Sequence, residues 1–254
     1  MLKKICYLLC IIATILTSCQ KQESNPKGFR ISSDPVQDSS SLDSLPFMTR
    51  PGRILLTGIP EYRLTPVYKV NLDKKGNYYT GSNQFHTWYH YHTPDNGNQW
   101  NDHIMPGFEA VYGYNMVNIS KHYTANDSRT LCFDSPVLIK TLYYPSFSKD
   151  TLNFIPVTRN YYLISVYDQD TNNDGFINER DFRHFYYFDL QFNDKTSLVP
   201  VHYSVIRSQY DPANDYMYVY ASPDSDKNGI INVQDEIHIF WIDLKNPKNN
   251  GKAY

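Results

Sequence analysis

Short runs of aromatic and β-branched residues, separated by turn-forming ones, fill most of the chain. Tyr216 to Tyr220 and His238 to Leu244 are typical: too short for helices and bounded by turn residues. No segment sustains a 3.6-residue apolar period, so the pattern predicts an all-β domain. Two stretches depart from it. Ile5 to Leu16 is a continuous apolar run of about a dozen residues behind Lys3 and Lys4. That is the size of a signal h-region and shorter than the roughly 20 residues a membrane-spanning helix needs. Residues 20–46 carry seven Ser and three Pro and no apolar period. They read as a disordered tether with an r.m.s. reach of about 30 Å. The expected organisation is a signal peptide over 1–18, a lipidated Cys with its tether over 19–46, and a repeat β domain over 47–254.

The body repeats itself. Residues 161–190 lie on 215–244 without a gap at a shift of 54 residues. Asp170 meets Asp224, Gly175 meets Gly229, Ile177 meets Ile231, Asn178 meets Asn232, Asp181 meets Asp235, and Asp189-Leu190 meets Asp243-Leu244. The unit's ending recurs at Val70-Asn71-Leu72 and Val117-Asn118-Ile119. Degenerate pieces of its front half recur too, 89–95 on 218–224 and 137–145 on 204–212. About four units of roughly 50 residues match the size of a four-stranded propeller blade. The aromatic, apolar, Asp, Leu, turn ending resembles β-propeller proteins of the periplasmic TolB-like and WD40-like kind, over residues 50–250, although no Trp-Asp dipeptide occurs. The resemblance implies a β-propeller-like fold of about four blade-like repeats. A β-sandwich or an open antiparallel meander of similar hairpins is the alternative.

Within the repeat lie two acidic 12-residue loops, DTNNDGFINERD (170–181) and DSDKNGIINVQD (224–235). Both fit the EF-type calcium loop, with ligands at positions 1, 3, 5, 7, 9 and 12 and Gly at position 6. In the first, Asp170, Asn172 and Asp174 offer side-chain oxygens, Phe176 its carbonyl, Asn178 an amide or an ordered water, and Asp181 closes the shell. In the second the roles fall to Asp224, Asp226, Asn228, Ile230, Asn232 and Asp235. Three carboxylates within 12 residues repel one another unless a cation sits between them. Asp at position 12, where EF-hands carry Glu, resembles the dockerin version, although strands rather than helices flank these loops. The expectation is two structural Ca²⁺ sites; the other reading is a plain polar hairpin with Asx-Gly turn chemistry.

Leu16-Thr17-Ser18-Cys19 resembles the lipobox of bacterial lipoproteins, which implies lipidation of Cys19, a membrane partner through that lipid, and a Gram-negative outer-membrane lipoprotein facing the periplasm or the surface. Gln20 stands where an inner-membrane retention signal carries Asp. After cleavage only Cys132 remains in the domain, so no internal disulfide is available, and its apolar neighbours mark it as a core residue. The mature chain has 22 basic and 26 acidic residues, a net charge of −4, and gives no sign of a nucleic-acid partner. His86, His90, His92 and His103, with Asp95 and Asp102, fit no catalytic metal motif, and no nucleophile elbow, phosphate loop or Rossmann glycine pattern occurs. Trp88 and Trp100 fit either a core or a carbohydrate-stacking platform. The sequence therefore points to a calcium-stabilised, lipid-anchored binding or structural module of the cell envelope rather than an enzyme, with an unknown protein or glycan ligand. The alternative is a carbohydrate-binding or carbohydrate-processing surface lipoprotein.

Overall fold

The structure, a computed structural model, describes residues 28–31, 47–72, 75–80, 84–86 and 105–254, with backbone alone for 84–86 and Tyr114. Strands β1 (Gly28–Arg30), β2 (Thr49–Pro51), β3 (Tyr62–Lys69), β4 (Asn71–Leu72), β5 (Tyr78–Tyr79), β6 (Gln84–His86), β7 (Phe108–Tyr123) and β8 (Arg129–Leu131) make up the N-terminal half. The C-terminal half holds β9 (Leu138–Pro145), β10 (Asp150–Leu152), β11 (Ile155–Val157), β12 (Tyr161–Tyr167), β13 (Phe176–Asn178), β14 (Arg183–Asp189) and β15 (Lys195–Ser197). It ends with β16 (Tyr203–Asp211), β17 (Tyr216–Pro223), β18 (His238–Asp243) and β19 (Asn250–Lys252). Among the described residues there is no helix, as the lack of helical periodicity implies.

The sheets are open. A nine-stranded sheet runs β15-β14-β12-β9-β7-β3-β2, with β6 and β8 also along β7. A four-stranded sheet runs β16-β17-β18-β19, and three strand pairs, β1–β13, β4–β5 and β10–β11, complete the set. The repeat appears as two units in the same antiparallel order, β9-β12-β14-β15 and β16-β17-β18-β19. Each slips register once between its first two strands, at Ser165/Val166 and at Val205/Arg207. The described residues contain this order twice rather than four times. Val117-Asn118-Ile119 lies inside the 16-residue β7, and Val70-Asn71-Leu72 spans the step from β3 into β4, so neither ends a blade-like unit.

The two units meet face to face, with equivalent positions on only one strand pair: the 54-residue shift puts Leu163 on Met217, both in the shared cluster, but puts Phe185, which faces the cluster, on Ile239, which does not. Tyr161 and Leu163 of β12 share one buried cluster with Met217, Val219 and Ala221 of β17 and with Phe240 and Ile242 of β18. Open sheets that share a core in this way are consistent with a sandwich or an open meander. The opposite face of the first unit is covered as well. β7 shifts register between Tyr112 and Met116, where Asn115 takes a left-handed φ of 57°. Beyond this bulge β7 pairs with β3, and both come to lie over β9, β12 and β14. Tyr62 and Tyr162 hydroxyls meet at 2.6 Å, and Lys121 Nζ donates to the Leu190 carbonyl at 2.8 Å across that space. β12 is therefore buried at all seven positions, whereas β17 alternates buried with half-buried residues, as a strand with one outward face does.

A charged clamp holds the units together at one end. Arg159 reaches Asp215 with both guanidinium nitrogens, at 3.0 and 2.7 Å, and donates to the Leu244 carbonyl at 2.6 Å. Both side chains are only 2% exposed, and Tyr210 adds a third donor to Asp215. A pair this deep persists because further hydrogen bonds surround it, including Arg159 Nε to the Pro106 carbonyl at 3.0 Å.

The stretch expected to be a plain tether is interrupted by structure. Gly28–Arg30 forms β1 antiparallel to β13. Phe29, 6% exposed, packs with Val67, Val117, Leu138, Tyr167 and Ile177. Gly28 N–H donates to Asn115 Oδ1 at 3.0 Å, and Lys69 Nζ donates to the Gly28 carbonyl at 2.6 Å. A three-residue strand has no period to read, so its burial is set by the slot it fills. Cys19 and the rest of the signal and tether lie outside the described residues.

Candidate functional site: two acidic loops of one conformation

Loop 1 (170–181) joins β12 to β14, and loop 2 (224–235) joins β17 to β18. Their backbones agree at the positions that set the turn. Position 4 is left-handed in both, Asn173 at φ 57° and Lys227 at 59°, and so is the glycine at position 6, Gly175 at 81° and Gly229 at 78°. The first Asp accepts two N–H groups in each: Asp170 from Asp174 and Gly175 at 3.1 and 2.9 Å, Asp224 from Asn228 and Gly229 at the same distances. The last Asp does likewise: Asp181 from Thr171 and Asn178 at 2.9 and 2.8 Å, Asp235 from Ser225 and Asn232 at 3.2 and 2.9 Å. The ninth residue turns its side chain back onto the chain, Asn178 to Arg180 N–H and Asn232 to Gln234 N–H. The local sequence thus dictates the local fold, since short polar side chains capping nearby N–H groups stabilise turns.

The carboxylates are distributed differently. In loop 2, Asp224, Asp226 and Asp235 bring oxygens within 4.8 Å of one another. This is the one such acidic group among the described residues. Loop 1 carries Asn172 at position 3 and places its third acid, Asp174, at position 5. That carboxylate accepts Phe176 N–H at 2.9 Å and Asn178 Nδ2 at 3.2 Å. Burial pushes the Asp181 carboxyl above its ordinary range despite the N–H groups it accepts, and neighbouring Asp170 adds to the rise. A carboxylate with one N–H on each oxygen keeps lone pairs for a further partner, and oxygen-only donors of this kind suit a hard cation.

The loops also touch each other. Thr171 Oγ1 donates to the Gly229 carbonyl at 3.0 Å. A Cβ on Gly229 would stand 2.2 Å from the Thr171 carbonyl oxygen, so only glycine fits this approach. Loop 1 has a second neighbour in β1, whose extension Ile31 donates to the Gly175 carbonyl at 3.0 Å.

Other sequence candidates fall elsewhere. Of the His-rich stretch, His86 belongs to β6 by its backbone; His90, His92, His103, Asp95, Asp102, Trp88 and Trp100 lie outside the described residues. Cys132 is buried, and desolvation raises its thiol pKa well above the ordinary value, so it is a core group rather than a nucleophile. The sequence reading passed over a buried His184–Asp168 pair, 2.5 Å from Nδ1 to Oδ1. Burial would raise the Asp168 carboxyl, but His184 and Lys195 outweigh it and hold it low. Nε2 of His184 sits 3.0 Å from the Val201 carbonyl. Two acceptors occupy both ring nitrogens and leave none for a substrate.

Compared with models of known protein families the chain finds no match, and compared with curated proteins it finds none either.

Proposed function

We propose that this chain is a lipid-anchored, calcium-stabilised binding module of the bacterial cell envelope, built as an open sandwich of two blade-like units rather than as a ring. The observation that carries the metal is the pair of loops: two EF-type sequences, in register within one repeat, folded identically around oxygen donors. Ca²⁺ would be held by Asp224, Asp226, Asn228, Asn232 and Asp235 with the Ile230 carbonyl, and by the equivalent loop 1 residues. Its role is structural, because it replaces carboxylate repulsion with attraction in a domain without disulfides. The anchor rests on Cys19 and the apolar run before it. The reading assigns no catalytic residues.

The test is a melting curve of residues 20–254, so that β1 is retained, with and without chelator, alongside a titration that counts bound ions. A ligand that binds only the folded state stabilises it by about 2.7 kcal/mol per site at 100 times its Kd. EDTA should lower the Tm, Ca²⁺ should restore it, and Asp224→Ala should remove the larger part of that response. No chelator effect and no bound ion at millimolar Ca²⁺ would leave both loops as plain turns. For the anchor, Cys19→Ser in the full chain should abolish incorporation of labelled fatty acid and release the protein into the soluble envelope fraction.

A further inference from the structure

The four-stranded sheet has two very different faces. Met217, Val219, Ala221, Phe240 and Ile242 point inward and are buried. The strand period of two sends their neighbours outward, and on an open antiparallel sheet such positions are ordinarily polar. Here they are Tyr216, Tyr218 and Tyr220 on β17 and Trp241 on β18, all half-buried. Register sets them side by side: Gln209, Tyr218, Trp241 and Gly251 form one row across the sheet, and Arg207, Tyr220 and Ile239 the next. Asp211, Tyr216 and Asp243 form the third.

The rings are held in place. A Cβ on Gly251 would come within 3.0 to 3.2 Å of Nε1, Cε2 and Cζ2 of Trp241, so the indole spreads over the neighbouring strand where that strand lacks a side chain. Tyr216 lies nearly parallel to it, 18° between planes and 5.6 Å between centroids. The Arg207 guanidinium stacks 3.5 Å above Tyr220, whose hydroxyl donates to Gln209 Oε1 at 3.2 Å. Aromatic cross-strand pairs do stabilise sheets. That alone does not account for three tyrosines in alternate positions beside an indole laid over a glycine, all on the outward side.

We propose that this face binds a neutral glycan chain. Pyranose rings present a flat array of weakly positive C–H groups, which matches the electron-rich face of an aromatic ring. Their hydroxyls project sideways toward hydrogen-bonding side chains. The platform supplies both features: the rings of Trp241 and Tyr218 along the centre, Tyr220 being capped by Arg207, and Gln209, Asp211 and Asp243 at the edges. Tyr and Trp have few rotatable bonds, so little entropy is lost on contact. The charges on this face favour such an occupant over an anionic one. One cation against two carboxylates is wrong for anionic lipid or an acidic polysaccharide. Ile239 is the lone aliphatic side chain among the outward residues in these three rows. This assignment names the ligand class of the binding module proposed above, and it stands separately from the metal.

The experiment is affinity electrophoresis of residues 20–254 through native gels cast with soluble neutral polysaccharides (a β-glucan, a xylan, a mannan and starch), with polygalacturonate as the charged control. At least one neutral gel should retard the protein. Trp241→Ala and Tyr218→Ala should each weaken binding by about tenfold or more in protein that still unfolds cooperatively, while Trp241→Phe keeps part of it. The proposal is overturned if no neutral gel retards the protein, if polygalacturonate retards it more, or if retardation survives both alanine variants. It is also overturned if retardation is lost in Trp88→Ala or Trp100→Ala but not in Trp241→Ala. A chelator that leaves the Tm unmoved while retardation persists would remove the metal and keep the glycan face. A chelator response without retardation would do the reverse.

Discussion

Loop 1 and loop 2 are the same 12-residue structure in two settings. Loop 1 is finished by the rest of the protein: its residues 176–178 become strand β13 because β1 pairs with them, and Ile177 is 5% exposed. The matching residues of loop 2, 230–232, form no described strand; Ile231 is half-buried and Val233 fully exposed. Loop 2 instead has the denser carboxylate group, and its Gly229 is buried against loop 1. Matching turn geometry thus comes from matching local hydrogen bonding, while stability comes from different sources. Loop 1 is supported by apolar packing and strand pairing. Loop 2 leans on loop 1 and holds its three carboxylates closer together, so a cation has more to offer it.

Four experiments press on that contrast, in decreasing order of expected effect. Phe29→Ala should empty the slot that docks β1 and cost about 3–5 kcal/mol by denaturant unfolding; a chain beginning at residue 47 should be weakened similarly. If both unfold like the wild type, β1 is not what completes loop 1. Gly229→Ala should cost about 2–4 kcal/mol, because a left-handed alanine is strained and its Cβ runs into the Thr171 carbonyl. Gly175→Ala has nothing within 4 Å of its Cβ and should show only the strain, about 1–2 kcal/mol. Equal losses at the two glycines would mean the loops do not touch. Third, Asp226→Ala should remove about as much of the Ca²⁺-dependent rise in Tm as Asp224→Ala, up to about 2.7 kcal/mol at 100 times Kd, whereas Asn172→Ala at the matching position of loop 1 should remove less. A larger loss at Asn172 would reverse the ranking of the loops. The smallest effect is expected for Thr171→Val, about 1–2 kcal/mol. It deletes the hydrogen bond to Gly229 and leaves Phe182 N–H without its acceptor, and it should slightly lower the ion affinity of loop 2 as well.

Much of this molecule is written in short stretches of sequence. Strand class follows from aromatic and β-branched runs between turn residues, and the 54-residue shift carries β12 onto β17 and β14 onto β18. The loops follow from Asp, Asn and Gly at fixed spacing, because their hydrogen bonds close within a few residues. These are local effects, and a single chain displays them. What lies between distant residues was settled only by the tertiary structure. The pairing of β1 with β13, the Arg159–Asp215 clamp, the fold of β7 over β12 and the meeting of Gly229 with Thr171 join residues far apart in the chain. Repeat equivalence was legible, but not which faces of the two units would pack on each other: a ring and a sandwich need the same alternation within each strand and differ only in which buried face meets which. The same ambiguity hid the Tyr216–Trp241 platform, since an aromatic strand reads alike whether its rings fill the core or face solvent.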